Sequence, residues 1–193
     1  MPNDEFASHP IVSHDEWIAE RTAFLAKEKE FTRLRDEHAR ERRALPWERV
    51  SKEYVFDGAK GKQTLAELFD GRSQLIVYHF MFAPGAKAGC PHCSLRADGF
   101  DGIQPHLNQR DVTMICVSRA PYETLAADRE GHSVFVKDAK GDVCHTYSCY
   151  DRGNDNLNIH YAYLDMVPKG RDEGGRGPFW VKRRGEYGVG GGA

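Results

Sequence analysis

Residues 75–82, Leu-Ile-Val-Tyr-His-Phe-Met-Phe, form a nearly continuous apolar run that begins after Gln74. A run with so little polar alternation reads as a strand buried on both faces of a sheet. Such a strand needs cover on two sides, and the flanking sequence offers alternating helical and extended patterns. Together they point to an α/β sandwich with a mixed central sheet. At 193 residues the chain fits one such domain with an appended helix.

The appended helix comes first. Residues 1–12 read as a loose arm. Ser13-His14-Asp15-Glu16 matches a capping box, and from there to Arg43 there is neither Gly nor Pro. Trp17, Phe24 and Phe31 recur every seven residues, with Ile18, Leu25 and Leu34 beside them. This predicts a helix of roughly 45 Å with a narrow apolar stripe. The stripe needs an apolar surface, supplied either by the rest of the chain or by a homodimer partner reached across. Leu45-Pro46-Trp47 ends the helix, which sets residues 1–46 apart from a domain over 47–187.

Within that domain, residues 54–58 predict a strand and 62–69 a short helix. The apolar strand follows, then a Pro-Gly loop that delivers Gly89-Cys90-Pro91-His92-Cys93. Pro91 suits the first turn of a helix, where its missing N–H costs nothing. Leu95, Ile103 and Leu107, with Phe100, supply its inward face, and Pro105 predicts a kink. Residues 111–117 predict a second buried strand and 121–130 a further helix. Residues 133–138 and 142–147 read as a hairpin around Ala139-Lys140-Gly141. Residues 157–164 read as a last helix packing on the sheet, 179–184 as a short strand or extended arm, and the Gly-rich 188–193 as a disordered tail.

The two thiols three residues apart carry the chemistry. A thiolate, not a thiol, attacks a disulfide or a peroxide. Cys90 opens the predicted helix, where unpaired N–H groups and the helix dipole favour negative charge. A protonated His92 would add to this, and Lys87 is a weaker candidate for the same task. Cys93 lies one helical turn on, so its sulfur can displace whatever Cys90 captures. Cys93 is expected to be the more buried of the two. Tyr78 and His79, at the end of the strand feeding the loop, and Arg171 are candidate site neighbours. His79 reads first as a hydrogen-bonded structural histidine, and Arg171, with Asp165 and Asp172, first as a structural ion-pair cluster. Cys116 reads as a buried, inert thiol. Cys144 and Cys149, an odd spacing apart on one strand, are expected on opposite faces, either one a distant resolving thiol at most.

Composition narrows the partners. A net charge of −2 argues against a nucleic-acid surface or a basic membrane patch. No apolar stretch reaches the roughly 20 residues of a membrane span. The acidic start, Met1-Pro2-Asn3-Asp4-Glu5, lacks a positive segment followed by an apolar one, so a cytoplasmic location is expected. In a reducing cytosol an odd set of five cysteines does not make a disulfide scaffold.

The chain also resembles a known family. Tyr54-Val55-Phe56, Val77-Tyr78-His79-Phe80-Met81-Phe82 leading to Gly89-Cys90-Pro91-His92-Cys93, Ala97-Asp98-Gly99-Phe100, His145-Thr146-Tyr147-Ser148, Tyr163-Leu164-Asp165 and Pro168-Lys169-Gly170-Arg171-Asp172-Glu173 look like a bacterial thioredoxin-like family of unknown function. Its members are described as dithiol–disulfide oxidoreductases by inference only. The resemblance runs from about Trp17 to Tyr187. It implies a thioredoxin-like fold related to the peroxiredoxin-like branch. Thioredoxin-fold enzymes usually set a cis-proline opposite the cysteine pair, but here the corresponding strand begins Gly131-His132-Ser133-Val134. The resemblance therefore implies a remodelled substrate groove.

The reading of the whole sequence is thiol–disulfide exchange by Cys90 and Cys93 on a small thiol or a protein disulfide, with an external electron donor and no cofactor. A thiol peroxidase is the nearest rival, weakened because Lys87 rather than Thr or Ser stands three residues before Cys90. A metal-binding thioredoxin-fold protein and a non-catalytic interaction module working through the long helix are the others. A metal held by Cys90, Cys93 and His92 would need a fourth ligand from elsewhere, such as His79 or His145.

Overall fold

A computed structural model describes residues 9–82, 86–118 and 130–187. The chain divides into two compact units, Met1–Leu45 and Pro46–Ala193.

The first unit is the long helix α1 (His14–Arg43). Ser13 caps it: its Oγ accepts from the Glu16 N–H at 3.3 Å, and the Glu16 carboxylate accepts from the Ser13 N–H at 2.9 Å. Asp15 and Glu16 in the first turn and Arg40, Arg42 and Arg43 in the last complement the helix dipole. The aromatic stripe is exposed, with Trp17, Phe24 and Phe31 each more than half accessible. Ser13→Ala is expected to cost the helix about 1 kcal/mol. The measurement is amide exchange at Trp17, whose N–H bonds the Ser13 carbonyl.

The second unit holds β1 (Glu48–Arg49), β2 (Val55–Gly58), β3 (Gly61–Thr64), β4 (Gln74–His79), α2 (Pro91–Phe100), α3 (Gln104–Asn108), β5 (Val112–Val117), β6 (Gly131–Lys137), β7 (Val143–Tyr150) and α4 (Ile159–Leu164). Five strands form one sheet in the order β1-β7-β6-β4-β5, and β2 and β3 form a separate hairpin. β4 and β5 run parallel while the other neighbours run antiparallel, so the expected mixed sheet is present. Period-two alternation gives β4 two different faces. Leu75 and Val77 join Leu65 and Phe69 in an apolar core, flanked by Phe56, Ile115 and Phe135. Tyr78, fully buried, faces the other way, with its ring 5.1 Å from that of Phe100 and 4.9 Å from that of His132.

Several expectations need correction. Residues 62–64 are strand, not helix. Gly61 turns the chain at φ 91° into a hairpin, and the Glu67 carboxylate ties the Thr64 N–H, leaving only a 3-10 turn at Glu67–Phe69. The strand at 74 stops at His79, because the Met81 N–H turns out of the sheet toward the Cys93 sulfur. The helix from Pro91 does not kink at Pro105. It ends at Phe100, the chain reverses at Gly102 (φ 86°), and Pro105 sits harmlessly in the first turn of α3. Ile103, expected inward, is 40% exposed, and the inward side of α2 carries Cys93 and Arg96.

Among the described residues β5 lies at the edge of the sheet; of its residues only Thr113 is buried, and Cys116, expected buried, is exposed. α4 packs on α2 rather than on the sheet; a Cβ at Gly99 would come within 2.9 Å of Ile159, so the glycine permits the approach. The strand or arm expected over 179–184 is not formed: Phe179 and Trp180 sit in a turn, 181–183 pair with no strand, Arg184 opens a 3-10 turn, and Val181 is buried.

Cys144 and Cys149 share a face. Val134 pairs with Tyr147 and Phe135 with His145, so Thr146 is a bulge that shifts the alternation by one. Their strand partners are Val136 and His132, which puts the two thiols about 13 Å apart along the strand, beyond disulfide reach. The helix expected over 121–130 and the tail at 188–193 lie outside the described residues, apart from Glu130. No helix among the described residues is long and apolar enough to cross a membrane.

Candidate functional site

The end of β4 and the start of α2 build the site. The Cys90 N–H bonds the Met81 carbonyl at 3.0 Å, and the Ser94 N–H and hydroxyl both donate to the Cys90 carbonyl at 3.0 Å. Cys90 is thus the N-cap of α2, with Pro91 in the first helical position. A Cβ on Gly89 would run into the Phe80 ring, so only glycine lets the loop pass there. The Arg183 guanidinium donates to the Gly89 carbonyl at 2.8 Å. His92 presents Nδ1 4.0 Å from the Cys90 sulfur and holds Nε2 3.1 Å from the Pro178 carbonyl.

The two thiols differ sharply. Cys90 is half-buried, while Cys93 is fully buried. The Cys93 thiol donates to the Cys90 sulfur, and the N–H groups of Cys93 and His92, with the His92 ring, add to it. Together they hold the Cys90 thiol down at about 5, against burial. The same hydrogen bond, burial and the nearby Glu130 carboxylate push the Cys93 thiol far above the usual range. One proton is therefore shared toward Cys90 from a sulfur that keeps it.

Beneath Cys93 lies a polar layer that the sequence does not announce. The Tyr78 hydroxyl donates to Glu130 Oε1 at 2.7 Å and stands 3.2 Å from the Cys93 carbonyl oxygen. Arg96 forms an ion pair with Glu130 and donates to the Asn154 carbonyl at 2.6 Å. Asn154 Oδ1 accepts from the Cys149 thiol at 3.0 Å and lies 2.8 Å from His132 Nδ1. Burial holds the Tyr78 hydroxyl well above its usual range, so it stays a donor. Arg96 and Glu130 were missed in the sequence. A signal was there: Arg96 lies three residues after Cys93 and four before Phe100, on the inward stripe of a short helix.

Of the candidate residues, Cys90, Pro91, His92, Cys93 and Tyr78 are brought together. Lys87 is exposed on the loop. Arg171 lies farther out, where a polar cavity of about 480 Å³ runs beside His92, Met81, Glu130 and Tyr161. Its guanidinium grips Asp165 through two bonds of 2.8 and 2.7 Å and stacks 4.0 Å above the Tyr161 ring. That pair holds the Asp165 carboxyl below its usual range. His79 faces away from the thiols and bonds Ser133 at 2.9 Å. Among the described residues, no three His, Cys, Asp or Glu side chains converge closely enough to hold a metal ion.

A family model described as a bacterial protein of unknown function (DUF899) matches residues 6–130 and 123–187. No curated protein matches, and no solved structure matches.

Proposed function

Since the chain belongs to that bacterial family of unknown function, which brings no activity with it, we propose from the geometry that Cys90 and Cys93 form a thiol–disulfide exchange couple on a thioredoxin-like fold. The observation that carries this is a half-buried sulfur at a helix N-cap, 4.0 Å from His92 Nδ1, with a fully buried second thiol one turn on that donates to it, an arrangement that favours the thiolate at Cys90. The sheet supports the fold reading: β4 leads into the Cys90 helix, β5 returns parallel to β4, and β6 and β7 add antiparallel strands on its other side.

The reaction balances in two steps. The Cys90 thiolate attacks one sulfur of a substrate disulfide, forms a mixed disulfide and expels the other half as a thiolate. That thiolate leaves with the proton of Cys93. The Cys93 sulfur then attacks Cys90, closes the intrachain disulfide and releases the second half of the substrate. Two electrons have moved to the substrate, and an external thiol donor returns them. The same steps in reverse oxidise a dithiol. Because the Cys90 thiolate is stabilised, the reduced form is favoured, which makes the disulfide form the stronger oxidant. The substrate is a small disulfide or a disulfide on an exposed protein segment.

The test is alkylation of Cys90 by iodoacetamide, followed peptide by peptide by mass spectrometry. The rate should be flat from about pH 7 down to 6 and fall to half near pH 5. A profile that rises steadily to about pH 8.5, like a free cysteine, overturns the reading.

A further inference from the structure

On the sheet face away from the two thiols lies a second cavity of about 500 Å³. That volume falls within the range of small-molecule sites. One wall is apolar, formed by Val50, Tyr54, Phe56, Leu65, Val117 and Phe135. Beside these apolar groups, on the same sheet face, runs a continuous polar chain. His79 Nε2 lies 2.9 Å from Ser133 Oγ, Ser133 Oγ 2.8 Å from Ser148 Oγ, and Ser148 Oγ 2.7 Å from His145 Nε2. Glu48 closes the chain, 3.8 Å from His145 Nδ1. The Thr146 bulge makes this possible, because it brings His145 and Ser148 to the same face of β7.

One group at this cavity has no partner. Ser118 lines the cavity, and its hydroxyl oxygen is turned out of the cavity into a buried position where it makes no hydrogen bond. A buried hydroxyl left unmatched costs free energy, and native proteins seldom keep one without a use for it.

We propose that this cavity binds a small uncharged aromatic molecule bearing a hydroxyl or carbonyl oxygen. The ring lies against the apolar side chains, the oxygen meets the His–Ser chain, and the Ser118 side chain rotates into the cavity to give its unmatched hydroxyl a partner. The charge balance argues for a neutral ligand. Arg49 is already paired with Asp142, the Lys52 ammonium lies 4.9 Å over the Tyr54 ring, and Glu48 stands beside His145. Burial keeps His79 below its usual range, so its imidazole is neutral near pH 7. An ion placed here would lose its water and find a counter-charge only at the exposed Glu48 or Lys52, where water screens it. Hydroxyls and the neutral His79 imidazole both donate and accept, so these groups take a phenol or a ketone. This site is independent of the redox reading, since Cys93 and Tyr78 lie on the other face.

The experiment titrates the full chain with 2-naphthol and with naphthalene, followed by amide chemical shifts. 2-Naphthol should shift Val50, Val117, Ser133 and Ser148 saturably, and bind several-fold more tightly than naphthalene. Ser118→Ala should weaken 2-naphthol about five-fold, leave naphthalene unchanged, and leave the melting temperature equal or higher, because an unmatched hydroxyl is removed. Val50→Trp, which fills the cavity, should abolish binding of both. Failure of 2-naphthol to saturate these residues overturns the proposal. So does equal affinity for the two compounds, a Ser118→Ala protein that still distinguishes them fully, or a Val50→Trp protein that still binds.

Discussion

Cys90→Ser is expected to lower disulfide exchange by roughly a thousandfold or more, because a hydroxyl is not ionised where the thiolate was. Cys93→Ser should behave differently. Its first step survives, but resolution now depends on an external thiol in place of a sulfur held one turn away. Losing that proximity slows release roughly a thousandfold at millimolar thiol. Incubation with glutathione disulfide should therefore leave Cys93→Ser carrying one glutathione on Cys90, read by intact mass and peptide mapping. Wild type should pass through that adduct to a Cys90–Cys93 disulfide. Equal adduct on both proteins, or modification of Cys116 in preference to Cys90, would sink the assignment of roles. Stability follows the same ionisation. The Cys90 thiol ionises near pH 5 when folded and at about 8.5 when free. The reduced fold therefore gains from Cys90 fully above about pH 9, and loses that gain as pH falls toward 5.

Arg96→Met should be the most damaging single change to folding among the described polar residues. It leaves the Glu130 carboxylate, whose side chain is only 16% exposed, without its cation, and it strips the Asn154 carbonyl of a donor. Removing one partner of a buried pair costs about 3–5 kcal/mol. For a chain of this size that is a fall in melting temperature of roughly 10 °C. Glu130→Gln added to Arg96→Met should recover part of the loss, because the stranded charge is gone. A double variant no more stable than Arg96→Met would show that the damage lies in packing rather than charge.

What the sequence revealed was mostly what repeats or caps. The Ser13–Glu16 box, the run at 75–82 and the Cys90-Pro91 helix start are local patterns, and local patterns fix local structure. The failures came where distant chain decided the outcome. Residues 62–64 look helical by composition, yet pairing across the Gly61 turn makes them strand. Cys144 and Cys149 look opposed until one extra residue, Thr146, shifts the count. Cys116 sits among apolar neighbours in sequence, but among the described residues β5 lies at the sheet edge, and a strand's place in the order is not written in the strand. The polar layer under Cys93 was hidden for the same reason. Arg96, Glu130 and Asn154 mean little singly and converge only once α2 lies on β4 and β6.

The bond from Arg183 to the Gly89 carbonyl joins residues 94 apart in sequence, and the Pro178 carbonyl beside His92 repeats the tie. A ribosome adding about 5–20 residues per second needs roughly 5–20 seconds to cover that interval. Throughout it, the nascent chain carries both sulfurs without the segment that later crosses the loop beside them. Oxidants and chaperones in the cell meet a more open pair during synthesis than they do afterward.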